Sequence, residues 1–421
     1  CQNTGINYMH DEIRVHVPAP NVILKTMKIL HTSDWHLGRT FHRHSLHEWH
    51  QRFIDELIDY ATAEKIDVLL ISGDVYDSAH PSAETTELLG KTLDRLALAE
   101  IQVVLSAGNH DSARRLGYGA GTLARQGIYP VTTLKETFEP VELTRDDIRV
   151  RIYAVPYLNP RYYGRQLDVE PTHAAVLGEV CTRIREDNEK RNAGENPADF
   201  TIVMVHATVS EHGDFNESVR SSSERNISVG GVDWVPAALF EGFDYMALGH
   251  IHRRYPVMDR VRYSGSPLPF SFSEEANKNG AYLLNLTARD GGMELQVESH
   301  EWRTRLPIKT LTGTFDELME SDEFSPYETE YFCRIILRDD KQPVGTLDEL
   351  RKRYENIASF VFEPLHQQPR ANTRPRITET TNPAHVCEEF YATVRAHPLE
   401  AAETRALEHI VDEVISSGRS A

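Results

Sequence analysis

From residue 28 the chain alternates short apolar runs with longer amphipathic stretches. The runs "MKILHTS", "IDVLLIS", "IQVVLSA", "FTIVMVH" and "YMALGH" have strand length, and each ends in polar residues. Between the first two lies "EWHQRFIDELIDYATAEK", whose Phe53, Leu57, Ile58 and Ala61 recur at helical spacing, and "SAETTELLGKTLDRLALAE" follows the second. Such strand-helix alternation predicts an α/β sheet with helices on its faces.

After about residue 280 the pattern changes. "GAYLLNL" and "MELQVESHEW" predict an antiparallel pair that extends a second sheet. "LPIKTL", "TFDELMES", "YFCRIILRD", "TLDELRKRYENI" and "SFVFEPL" then compose a small mixed domain. The stretch "QQPRANTRPRITETTNP" has linker composition. Beyond it, Val386, Phe390 and Val394, then Leu407, Ile410, Val411 and Val414, form apolar stripes on two predicted helices separated by Pro398. Residues 1–26 precede a Met27 that reads as a natural start and carry only a short alternating piece at Ile13, Val15 and Val17, so an extension is expected there. The expected divisions are 1–26, 27–303, 304–375 and 376–421.

A 40% hydrophobic share over 421 residues supports a conventional core in two or three domains. No apolar run of about 18 residues occurs and the first thirty residues lack a signal pattern, so a cytoplasmic protein with no membrane association is expected. Cys1, Cys181, Cys333 and Cys387 have no paired spacing and read as structural thiols. The formal charge of −19 opposes an unaided grip on DNA. A phosphate substrate must be drawn in by bound metal, a local basic patch or a partner.

The strand ends carry the chemistry. Asp34 and His36 stand two apart, a spacing that shares one face of a strand. The second run ends in "SGDVYD", the third in "SAGNHD", the fourth at His206 and the fifth in "GHIH", where His250 and His252 repeat the spacing. In α/β sheets the crevice beyond the carboxyl ends of the strands is where ligands bind. Asp34, His36, Asp74, Asn109, His206, His250 and His252 are too many donors for one tetrahedral metal. They suit two divalent ions, with manganese, iron and zinc all chemically plausible. Asp74 is the natural bridge between ions about 3.5–4 Å apart. His110 is the candidate to protonate a leaving oxygen, with Asp77 expected to accept its other proton. His44, His47 and His50 lie at helical spacing and read as a solvated helix face.

The ordered motifs "DWH", "GDVYD", "GNHD", "VH" and "GHIH" resemble the calcineurin-like metallophosphoesterase superfamily. The flanks "MKILHTSDWHLGR", "DVLLISGDVYDSAHPS", "YMALGHIHR" and "YSGSPLPFSFSEE" are similar to the SbcCD-type double-strand-break repair nucleases, strongly over about residues 27–303 and loosely beyond. The resemblance implies a two-sheet metallophosphoesterase sandwich flanked by helices, a small α/β capping domain over 304–375 and a C-terminal helical tail. It implies one metal at Asp34, His36, Asp74 and His252, a second at Asp74, Asn109, His206 and His250, and a catalytic His110. Archaeal and eukaryotic relatives place histidine where this chain has Asp77. The implied activity is manganese-dependent exonuclease action on duplex DNA ends and endonuclease action on hairpins, within a homodimer assisted by the ATPase SbcC, on whose coiled-coil base the helices from Pro383 dock. Arg39, Arg43, Arg114, Arg115, Arg253 and Arg254 are candidates to line a DNA groove. The alternatives are a stand-alone phosphatase or small-molecule phosphodiesterase, and a non-catalytic DNA-end tether.

Overall fold

A computed structural model describes residues 25–211, 221, 224, 234–342, 344–365, 387, 391, 399 and 401–417. The five apolar runs form strands β1 (Thr26–Thr32), β2 (Val68–Ser72), β3 (Gln102–Ser106), β4 (Phe200–His206) and β5 (Tyr245–Gly249). They divide between two six-stranded sheets among the described residues. The first sheet runs Gly292–Glu301, Gly280–Arg289, β1, β2, β3, Ile128–Val131. The second runs Tyr255–Met258, Val261–Tyr263, β5, β4, Ile148–Val155, Val141–Arg145. The hairpin expected to extend a second sheet instead pairs antiparallel with β1 and closes the edge of the first.

The continuous apolar runs follow from burial on both faces. On β2, Val68 and Leu70 point into the space between the sheets, where they meet Ile202, Met204 and Ala247, while Leu69 and Ile71 face helices α1 (His47–Glu64) and α2 (Ala83–Leu98). Phe53 and Leu57 of α1 and Leu89 and Leu93 of α2 complete that outer layer. On the far side Val203, Val205 and Leu248 pack on Val176, Val180 and Ile184 of α3 (His173–Asn192). The order helix, sheet, sheet, helix results, each buried aliphatic side chain contributing about 1.5–3 kcal/mol of transfer free energy. Helix α2 begins where Ser82 Oγ accepts the Thr85 N–H at 3.1 Å.

His50 corrects the expectation of a solvated histidine face. It is fully buried on α1, whereas His44 is exposed in a short strand before the helix. The small mixed module is a three-stranded parallel sheet of Ile308–Gly313, Phe332–Leu337 and Ile357–Phe362, with helices Phe315–Glu320 and Thr346–Arg353. Thr314 and Glu317 form a reciprocal capping box at the first of these helices.

The chain divides into two compact units, Cys1–Leu337 with Pro343–Phe362, and Arg338–Gln342 with Glu363–Ala421. The small sheet belongs to the first. The second contains helix Ala401–Ser417, on which Leu407, Ile410 and Val411 lie, Ile410 being exposed. Residues 1–24 of the expected extension 1–26, the stretch "QQPRANTRPRITETTNP" and Val386, Phe390, Val394 and Pro398 lie outside the described residues, and Thr26 already belongs to β1. Cys181 and Cys333 are buried free thiols, and Cys387 is also free. No helix among the described residues is long and apolar enough to cross a membrane.

Candidate metal centre

The strands end level with one another, so their loops converge. Thr32 pairs with Ile71, Ser72 with Ser106 and His206 with Gly249. The first loop is laid along the second by hydrogen bonds from Asp34 N–H to Gly73 O, His36 N–H to Asp74 O and Leu37 N–H to Val75 O, at 2.9–3.1 Å. Half-buried Asp111 clamps the second loop to the third, its carboxylate accepting from Val75, Tyr76 and Gly108 N–H. At Gly249 an added Cβ would lie 1.8 Å from the Ser72 carbonyl oxygen, so the two sheets approach here as closely as only glycine allows.

Asp34, His36, Asp74 and His250 have positive φ, 53°, 45°, 44° and 99°. Side-chain convergence therefore comes from left-handed turns beyond the strands, and the same-face alternation expected for Asp34 with His36 and His250 with His252 is not what aims them. A non-glycine residue held in this region costs on the order of 1–3 kcal/mol. Four such residues together mark a site that the surrounding fold over-determines.

Six of the seven expected donors are nearly inaccessible, and Asn109 is half-buried. His36 Nε2 lies 3.2 Å from His252 Nε2 and 3.6 Å from Asp74 Oδ2. His206 Nε2 lies 3.3 Å from the same Asp74 oxygen and 3.0 Å from Asn109 Oδ1. The His250 ring stands edge-on to His206 at 5.3 Å, and the His250 N–H donates to Asp34 Oδ1 at 2.9 Å. Donor atoms sharing one cation at about 2.0–2.2 Å stand roughly 3–3.5 Å apart. The spacing within this cluster fits that demand. Asp34, His36 and His252 form one group able to hold a cation, and Asp34, Asp74 and His206 form another.

The electrostatics agree. Burial pushes the Asp34 carboxyl up to about 6, against the pull of His206 and His252. Burial acts the same way on Asp74, but His206, His36 and His110 outweigh it and hold that carboxyl well below the usual range. Burial lowers His206 and His252, yet Asp74 lifts the first and Glu274 the second to about 9. The carboxylates thus draw protons onto His206 and His252, while burial holds His36 down at about 4, and a divalent cation could fill the same deficit of positive charge.

His110 lies at the rim, its ring edge-on to His36 at 4.7 Å and its Nε2 4.0 Å from Asp74 Oδ2. Its Nδ1 faces the backbone carbonyl of Asp77 at 2.8 Å. The Asp77 carboxylate is 3.8 Å away and is engaged instead by His36 Nδ1 at 3.2 Å and by Arg39 at 2.7 Å. Asp77 therefore orients His110 through its main chain. Of the six arginines expected along a groove, Arg39 is committed to Asp77 and the Phe270 ring, and Arg254 to the carbonyls of Ala281 and His300. Arg43, Arg114, Arg115 and Arg253 are exposed. Sequence reasoning missed Ser33, which donates to Asp34 Oδ2 at 2.5 Å, and Glu274, which backs His252. The acid in "PFSFSEE" was the available signal.

A model of the family described as calcineurin-like phosphoesterase matches residues 27–254. Two relatives whose names identify them as the SbcD component of the nuclease SbcCD are similar over nearly the whole chain. That of Staphylococcus saprophyticus is 25% identical over 398 residues, covering 93% of this chain and 100% of its own. That of Staphylococcus epidermidis is 26% identical over 399 residues, covering 92% and 99%. Among solved structures, a dimetal phosphatase from Danio rerio aligns at 10% identity with a TM-score of 0.38, covering 65% of this chain and 96% of that one, too loose a likeness to bear on function.

Proposed function

The chain belongs to the calcineurin-like phosphoesterase family, and from that premise we propose that it is a metal-dependent DNA nuclease, an exonuclease on duplex ends and an endonuclease on hairpins or single strands, that works with the ATPase SbcC in DNA repair. The observation that carries the reading is Asp74, whose Oδ2 lies within reach of both His36 and His206. The names of the two full-length relatives support the choice of substrate and partner.

In this reading Asp34, His36, Asp74 and His252 would hold one cation, and Asp74, Asn109, His206 and His250 would hold the second, with manganese the expected ion. Bound there, the pair would supply Lewis-acid stabilisation for displacement at phosphorus. His110 supplies a proton. A carbonyl can only accept, so Nδ1 of His110 carries a hydrogen toward Asp77 O, and Nε2 is turned to the centre. From there the protonated ring can donate to the departing oxygen. Phe270, 5.2 Å from His36 and 5.4 Å from His252 between ring centroids, is an apolar wall that limits water.

The net charge of −19 fits an enzyme that leaves much of its DNA grip to a partner. Arg43, Arg114, Arg115 and Arg253 would line the approach, a homodimer would present two such centres, and the place of action would be the cytoplasm. The test is digestion of end-labelled duplex and hairpin DNA with manganese, with and without SbcC and ATP, beside a generic aryl phosphodiester. Cleavage of DNA that rises with SbcC and ATP is expected. Turnover of the small ester with no attack on DNA under any condition would overturn the assignment.

A further inference from the structure

Three imidazoles of the cluster face an acceptor through Nδ1, and the acceptors differ in charge. His206 faces the Ser72 carbonyl at 3.0 Å. His252 hydrogen-bonds the Glu274 carboxylate at 3.2 Å, and His36 Nδ1 stands 3.2 Å from the Asp77 carboxylate as a charge contact without hydrogen-bond geometry. It is these two rings whose Nε2 atoms turn toward one another at 3.2 Å. The point on which they converge is thus backed by a carboxylate on either side at 3.2 Å, whereas His206 Nδ1 meets a neutral carbonyl first and its nearest carboxylate oxygen, Asp34 Oδ1, stands off at 4.0 Å.

Glu274 is only 1% exposed, and a carboxylate so placed is costly unless its oxygens are hydrogen-bonded. Oε2 accepts the Phe270 N–H at 2.9 Å, and Oε1 accepts the hydroxyls of Ser271 at 3.2 Å and Ser221 at 2.5 Å. Phe270 in turn packs against both His252 and His36. One carboxylate therefore fixes an imidazole and the aromatic wall beside it.

Resting on the two-cation reading, we infer that Glu274 is a positioning residue that fixes the ring and tautomer of His252 and, with Asp77 behind His36, makes the position between those two imidazoles the tighter cation site. A full negative charge behind an imidazole raises its basicity as a ligand more than a carbonyl dipole does. Loss of such a partner typically costs about 10–100-fold in metal affinity.

Calorimetric titration of the chelator-stripped full chain with manganese alone tests this. Wild type should take up two ions of unequal affinity. Glu274→Gln, close in volume but uncharged, should weaken the tighter ion by about 10–100-fold and spare the other. Glu275→Gln, the same charge loss at the neighbouring acid, which pairs with Lys309 and not with His252, should bind both ions as wild type does. In chelator Glu275→Gln should melt close to wild type, and Glu274→Gln, read against its own melting point in chelator, should alone lose part of the rise in Tm that manganese gives. If Glu274→Gln does not fold, Glu274→Asp, with the charge drawn back by one methylene, carries the same expectation of a weakened tighter ion. Wild-type affinities in the Glu274 variant, or an equal loss in Glu275→Gln, would overturn the positioning role and leave the two-cation reading standing. A wild-type chain that takes up no manganese overturns that reading, and this inference with it.

Discussion

The backbone N–H of His110 donates to Oδ1 of Asp74 at 2.8 Å. The imidazole proposed to release a proton and the carboxylate proposed to bridge two cations are thereby fixed to one another through the main chain. Oδ2 is left to face His36 and His206. Because the linking donor is a main-chain group, the side chain of His110 can be removed without releasing the bridge.

His110→Ala should therefore keep both ions and DNA binding while the chemical step slows by about 10²–10⁴-fold, the usual worth of an acid-base group. Metal analysis and single-turnover cleavage check this. Near-normal cleavage would remove His110 from the mechanism.

Gly108→Ala should damage the centre from the backbone side. A Cβ there would lie 2.2 Å from both the amide nitrogen and Oδ1 of Asp74, so the carboxylate must move. The expected result is lost metal content and a stability cost of about 1–3 kcal/mol or more, as for overpacking. Gly90→Ala is the contrast. It sits inside α2 with nothing within 4 Å of an added Cβ, and should raise stability by about 0.5–1 kcal/mol. Urea unfolding of both variants decides.

His31 should make the sandwich acid-sensitive. It lies buried between the sheets, Nε2 donating to the Leu248 carbonyl at 3.2 Å and Nδ1 accepting from the Tyr245 hydroxyl at 3.1 Å. Burial, only partly offset by the Leu248 carbonyl, lowers its pKa from 6.5 to about 3. Between those values the unfolded chain binds a proton that the folded chain refuses. The contribution is complete above pH 6.5 and is lost as pH falls toward 3, at about 1.4 kcal/mol per unit for one group. His31→Gln should flatten the decline of the urea midpoint across that window, and an unchanged slope would contradict the assignment.

Truncation after Arg376 should leave metal uptake and small-ester cleavage intact while co-purification with SbcC and ATP-stimulated DNA degradation are lost. Amphipathic helices typically seat their stripe in a partner's groove, and Phe390 is the expected aromatic anchor. Pull-down with SbcC checks the loss. A tail packed on its own chain predicts instead a lower Tm with the complex preserved.

Much of this was legible in the sequence because the signals were local. Periodicity located α1, α2 and the strands, and polar residues after each apolar run marked the converging ends. What it did not carry was non-local or conformational. The partition of β4 and β5 into a second sheet depends on pairing partners far away in the chain. The aim of Asp34, His36, Asp74 and His250 depends on the sign of φ, which no residue pattern short of glycine reveals. Asp77 stands three residues from Asp74, yet a turn gives His110 its carbonyl and His36 its carboxylate. His50 falls on a polar stretch, and its burial depends on distant groups such as the Phe270 ring, 6.3 Å away.

In the proposed centre Asp74 would serve both cations, and low-temperature electron paramagnetic resonance of the chain loaded with two equivalents of manganese tests this most directly. Wild type should give the spectrum of an exchange-coupled pair, and Asp74→Ala should give isolated ions, loosely held, with no cleavage. A wild-type spectrum of isolated, uncoupled manganese, or a coupled pair that survives in Asp74→Ala, would contradict the bridge.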